Sequence, residues 1–189
     1  MAIRCIQGGG RIMHFMKRTI LIDAMILVLL TGCANHISSF QDVSTKAHFV
    51  RMNSSRLAGG FSFVTLNAQR YEKQGETSYS LFVVYAGPTF INIDAGKSLI
   101  LLIDGQRHEL AGRGSAGHRI LVSLGLVEEK AYYHDIDPEL IRQIAYAKKV
   151  EVVVKGSTDF VKRYLKDKNF SDFKNFHIFS TSDMVASQR

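Results

Sequence analysis

Cysteine is almost missing from this 189-residue chain, and both copies, Cys5 and Cys33, fall within the first 33 positions. From Ala34 onward there is none, which excludes a disulfide framework, a cysteine-ligated zinc site and a thiol nucleophile from that stretch and leaves packing to hold it together. A long hydrophobic run is missing too. The most apolar stretch, Ala24 to Leu30, is bounded by Asp23 and Thr31, well short of the roughly 20 residues that a membrane-crossing helix needs. Charge of one sign is not concentrated anywhere, although the formal net charge is +7. A nucleic-acid-binding domain carries a clustered basic face; the one dense group here, Lys162-Arg163, Lys166 and Lys168, is interrupted by Asp167 and reads as a solvated face. No nucleic-acid partner is expected. Internal repeats and low-complexity tracts are absent.

What is present at the start has a definite order. Lys17 and Arg18 precede an apolar run, and the run ends in Leu30-Thr31-Gly32-Cys33. Charged opening, apolar centre and small residues before a cleavage point are the physical requirements of an export signal. The last four residues resemble the lipobox of bacterial lipoproteins, with Asp23 as an acidic departure from the pattern. That resemblance implies cleavage before Cys33, a lipid on the Cys33 thiol, and membrane lipid as the first partner. Residues 1–32 are then a signal peptide whose true start is Met16. Ala34 follows the cysteine, and by resemblance to Gram-negative lipoproteins the lack of Asp there implies sorting to the outer membrane of the cell envelope.

Residues 33–46 read as a polar tether, residues 47–179 as one globular domain, and residues 180–189 as a flexible tail. Within the domain, turn signals separate short strand-like runs. Phe61 to Leu66 and Tyr79 to Tyr85 form a hairpin across a polar turn, the second strand apolar on both faces and therefore central. Thr89 to Asp94 is a short strand or a loop. Ser98 to Ile103 meets Gln106 to Leu110 across Asp104-Gly105, a type I′ signal. His118 to Leu124 and Val127 to His134 form a third hairpin. Asp137-Pro138 caps and opens a helix over 138–149 with Leu140, Ile141, Ile144 and Ala145 as its apolar stripe. Val150 to Lys155 and Phe160 to Tyr164 are further strands. Phe170, Phe173, Phe176 and Phe179 mark a short C-terminal helix capped near Asn169 or Ser171, with spacing that drifts around the helix. The expected fold class is α+β: six to eight predominantly antiparallel strands in a curved sheet or sandwich, one main helix packed on it, and the short final helix.

Chemical motifs are weak. Gly112 to Gly117 matches G-x-G-x-x-G, but a strand-like run follows where a dinucleotide site needs a helix, so a flexible hairpin loop is expected and no cofactor. Ser115 lacks the upstream glycine of a hydrolase elbow. His134-Asp135-Ile136-Asp137 offers metal-ligand types, yet Asp137 is needed as a cap and no metal is expected. Glu128 and Glu129 are adjacent on a strand and point to opposite faces, against paired-carboxylate chemistry. Asn53 and Asn169 sit in glycosylation-type triplets of little meaning in a bacterial chain. The expected function is a membrane-anchored, non-catalytic envelope module that binds an envelope protein, glycan or lipid. The alternative is a small periplasmic hydrolase, which would bring His108, His118 or His134 together with Ser115 or an acidic residue.

Overall fold

The computed structural model describes residues 37–53, 55–121 and 125–186. The expected signal peptide over residues 1–32, Cys33 and residues 34–36 of the expected tether lie outside the described residues, as do residues 187–189. The order of elements is β1 (Ile37–Gln41), β2 (His48–Met52), β3 (Phe63–Lys73), β4 (Glu76–Gly87), β5 (Ala95–Ile103), β6 (Gln106–Arg113), β7 (Ser115–Leu121), β8 (Leu126–Tyr133), α1 (Pro138–Tyr146), β9 (Val150–Lys155), β10 (Phe160–Tyr164) and α2 (Asp167–Ala186). Six strands form one antiparallel sheet in the order β1-β2-β3-β4-β8-β7, and four form another in the order β10-β9-β5-β6. The α+β, antiparallel fold class is the one expected.

Period-two alternation builds the core. Val64, Leu66 and Ala68 of β3, Leu81, Val83 and Tyr85 of β4, and Ala131 and Tyr133 of β8 join Leu99, Leu101 and Ile103 of β5 and Val150, Val152 and Val154 of β9 in one buried cluster. Both sheets therefore share a single core, closed by the stripe of α1 and by Phe173 and Phe176 of α2. The β4 strand lies between β3 and β8 and buries Leu81, Phe82 and Val83 in succession, as its two-sided apolar pattern requires. The Asp104-Gly105 turn adopts φ of 49° and 90°, the doubly positive geometry of a type I′ hairpin. The α1 helix starts on Asp137, whose side chain accepts from the Glu139 N–H at 2.8 Å.

The chain departs from the sequence reading in five places. Ile37–Gln41, inside the stretch read as tether, pairs with β2 instead, and Phe40 stacks on Phe49 at 5.1 Å. Those two strands raise the total to ten. Phe61 is not on a strand face; β3 begins at Phe63, and Phe61 stands fully exposed on the preceding loop. The α1 helix ends at Tyr146, and Lys148 and Lys149 lie beyond it, their N–H groups bound by the Asp104 carboxylate. The C-terminal helix is the longer of the two, with 20 residues, and runs through much of the expected tail. It starts at Asp167 because Asn169 reaches back to accept from the Lys166 N–H at 2.8 Å, the reciprocal half of a capping box.

The fifth departure is the glycine-rich stretch. It is no flexible loop. Only Gly114 separates β6 in the small sheet from β7 in the large one. Its φ is +81°, and a Cβ there would lie 2.9 Å from the Ile93 carbonyl oxygen. The glycine is needed where the strand turns a corner between sheets against neighbouring backbone.

Candidate functional site

Three of the residues weighed for hydrolysis do meet. Glu129 on β8 is completely buried, and β7 pairs beside it so that His118 lies opposite Glu129. One carboxylate oxygen accepts from the N–H groups of Ile91 (2.5 Å) and Asn92 (3.1 Å). The other accepts from the Ile93 N–H at 3.0 Å and the Ser115 hydroxyl at 2.7 Å. Successive backbone N–H groups turned toward one point form an anion-binding concavity, here filled by the chain's own side chain. Burial alone would raise the Glu129 pKa and is the largest single effect. The Ser115 hydroxyl and the N–H groups of Ile93, Asn92 and Ile91 together outweigh it and hold the carboxyl below its ordinary range.

This arrangement has the residue types of a catalytic triad but not the wiring. In such a triad the serine gives its proton to the histidine. Ser115 gives it to Glu129, and among the described residues no hydrogen bond joins Ser115 to His118. The His118 Nε2 stands 3.9 Å from the carboxylate, and its ring packs edge-on against Phe90 at 4.9 Å. Four donors saturate Glu129, so it clamps the 91–93 segment to the sheet corner.

The other sequence candidates stay apart. His108 is on β6, opposite Leu101. His134 is exposed, its ring stacked on Tyr132 at 6.2 Å. Glu128 points away from Glu129 and pairs with Lys130 at 3.2 Å. No cluster of metal-ligating side chains occurs among the described residues. The basic group is dispersed: Lys162 pairs with Glu151 at 2.7 Å, Lys168 with Asp172 at 3.7 Å, and Arg163 is buried. Phe173 and Phe176 are core and Phe179 is exposed, the drift expected of spacing by three. Asn169 is buried and Asn53 binds the Ser38 hydroxyl. Cys33 lies outside the described residues.

Two surface features escape a reading of the sequence. On the outer face of the four-stranded sheet, an open groove of about 600 Å³ is floored by Ile100, Leu102, Val153 and Phe160, with charges of both signs around it. Its strands read as buried from their apolar content, and only the sheet order leaves this face uncovered. The second is the 58–62 loop. Ala58 and Tyr164 exchange two backbone hydrogen bonds of 2.9 and 3.0 Å. The Arg163 guanidinium donates to the Ser62 carbonyl at 3.1 Å, and its burial lowers the Arg163 pKa. The doublet Gly59-Gly60, with positive φ at both positions, was the available signal that the chain turns out of strand geometry there. Among the described residues no helix is long and apolar enough to cross a membrane.

No protein-family model, curated protein or solved structure matches this chain.

Proposed function

We propose that this chain is a lipid-anchored protein of a bacterial envelope whose domain binds a partner and performs no chemistry of its own. The observation that supports it best is the use made of Ser115, Glu129 and His118. Among the described residues, the convergence of nucleophile, carboxylate and imidazole at Ser115, Glu129 and His118 is consumed in holding a loop, with the serine proton directed to the carboxylate. The hydrolase alternative needs a base free to take the serine proton; at Ser115 the carboxylate in reach is held by three backbone N–H groups, and the Ser39–His48 pair at 2.8 Å is exposed on β1 and β2. The groove on the small sheet supplies a binding surface instead. An apolar floor inside a charged rim is the anatomy of a protein–protein contact, so the preferred partner is an envelope protein. Attachment through an acylated Cys33, in the outer membrane, completes the reading.

The test uses the full chain in its native envelope, carrying a photo-crosslinking side chain at position 160 on the groove or at position 178 on α2. Phe160 and Ile178 are comparably exposed, 63% and 55%. A discrete adduct with one envelope protein from position 160 alone supports the reading. Equal labelling from both positions, or ester or amide hydrolysis that Ser115→Ala abolishes, overturns it. Anchoring is read separately, by the acyl mass on the Cys33 peptide and by release of Cys33→Ser from the membrane fraction.

A further inference from the structure

We propose that the end of the six-stranded sheet bearing the 56–63 segment rests on the bilayer, with the Phe61 ring inserted at headgroup depth. The inference rests on acylation of Cys33 and goes beyond it by naming the face that meets the lipid.

Chain direction supplies the first argument. The strand β1 runs parallel to β3, because both pair antiparallel with β2. Ile37 pairs with Met52, and Arg51 pairs with Gln69, so Ile37 is level with Ala68 and β1 starts at its end nearer Phe63. Four residues reach at most about 14 Å, while the five residues of β3 from Ala68 to Phe63 span about 17 Å. An acylated Cys33 therefore cannot hold the domain away from the membrane. The sheet end from which β1 starts is drawn down onto it, and the Gln74-Gly75 hairpin faces away.

That end of the sheet also displays side chains suited to lipid. Phe61 has a relative exposure of 103%, so its apolar ring is left entirely in solvent. The loop that bears it is not loose. Ala58 is tied to Tyr164, Ser62 is held by Arg163, and the adjoining Ser55 is bound to Asp172 and Asn169 of α2. Beside it the Arg56 guanidinium lies 3.8 Å from the centre of the half-exposed Phe63 ring. An aromatic body with an adjacent cation suits the boundary between acyl chains and phosphates. Ile120 joins them: it pairs with Val127, which pairs with Gly87, one residue beyond the Ala86–Phe63 pair. It is two-thirds exposed.

The chain contains no tryptophan, so Phe61→Trp creates a single emitter in the full lipidated protein. The variant is reconstituted into phosphatidylethanolamine–phosphatidylglycerol vesicles after its acyl mass is verified. The expected result is emission shifted to shorter wavelength, with about half the intensity quenched by lipids brominated high in the acyl chain, as for a ring ~5–10 Å into the boundary. Phe160→Trp, on the outer face of the other sheet, stays unshifted and unquenched. Unshifted, unquenched emission from position 61 in verified lipoprotein overturns this proposal and leaves the anchor standing. Equal quenching at both positions also overturns it. Absence of an acyl mass overturns the anchor and this proposal together.

Discussion

Replacing Glu129 by Gln tests whether the buried carboxylate is a structural clamp. The change preserves shape and removes charge. A glutamine can keep its carbonyl oxygen on the Ile91 and Asn92 N–H groups, but its NH2 then faces the Ile93 N–H, which loses its acceptor; the Ser115 hydroxyl can rotate to accept. A buried donor left unsatisfied costs about 1–3 kcal/mol, and the two retained bonds weaken because a neutral acceptor is roughly half as strong as a charged one. The expected loss is about 2–4 kcal/mol near neutral pH, a large share of the ~5–15 kcal/mol that stabilises a domain of this size. In urea, at a slope of ~2 kcal/mol per molar, this moves the midpoint down by about 1–2 M. The pH dependence makes the test specific. The folded carboxyl has a depressed pKa, so its contribution is complete above the ordinary glutamate value of about 4.3 and is lost as pH falls through the lower folded value. The gap between wild type and variant narrows on acidification. A gap that stays constant from neutrality to about pH 3, or a loss under ~0.5 kcal/mol near neutrality, would refute the clamp.

Arg70 is 1% exposed and paired with Glu72, yet its Nε and Nη1 have no partner among the described residues. Arg70→Met is expected to leave the urea midpoint unchanged or raise it, whereas Glu72→Ala, which strands the buried cation, lowers stability by about 3 kcal/mol. The reverse order in denaturant titrations contradicts that reasoning. Gly114→Ala drives a Cβ against the Ile93 carbonyl at a positive φ and is expected to cost over ~2 kcal/mol; a thermal midpoint within a few degrees of wild type removes the corner argument. Asp42 accepts from the Ser44 hydroxyl and from the N–H groups of Thr45 and Ser44, which lower its pKa to about 2. A carboxyl carbon NMR titration of Asp42 is expected to show a midpoint there, moving back toward the ordinary value in Ser44→Ala.

The hairpins were legible because their determinants are local. Asp104-Gly105 supplies the positive φ pair its turn requires, and Asp137-Pro138 supplies a cap and a preset first residue for α1. The two-sided apolar run of β4 marked a central strand from its composition alone. The missed elements depend on partners distant in the chain. His48–Met52 and Ile37–Gln41 become strands only when β3 offers an edge to pair with. The length of α2 follows from burial of Asn169, Asp172, Phe173, Phe176 and Ser180, not from its modest helical amphipathicity.

The candidate sites divide in the same way. Alternation placed Glu128 and Glu129 on opposite faces, and the triplet of Ser115, His118 and an acidic residue was conceivable from the sequence. Whether that triplet does chemistry was decided by which donor faces which acceptor, and three N–H groups from residues 91–93 arrive only through tertiary folding. Local order along the chain therefore determined the strand periods, the turns, the helix cap and an antiparallel α+β class, because each depends on neighbours a few residues apart. The tertiary structure alone decided that Glu129 is a clamp, that Gly114 turns a corner, that one sheet keeps an open groove, and that Phe61 stands in solvent. Those outcomes depend on packing and hydrogen bonds between segments that meet only when the chain is folded.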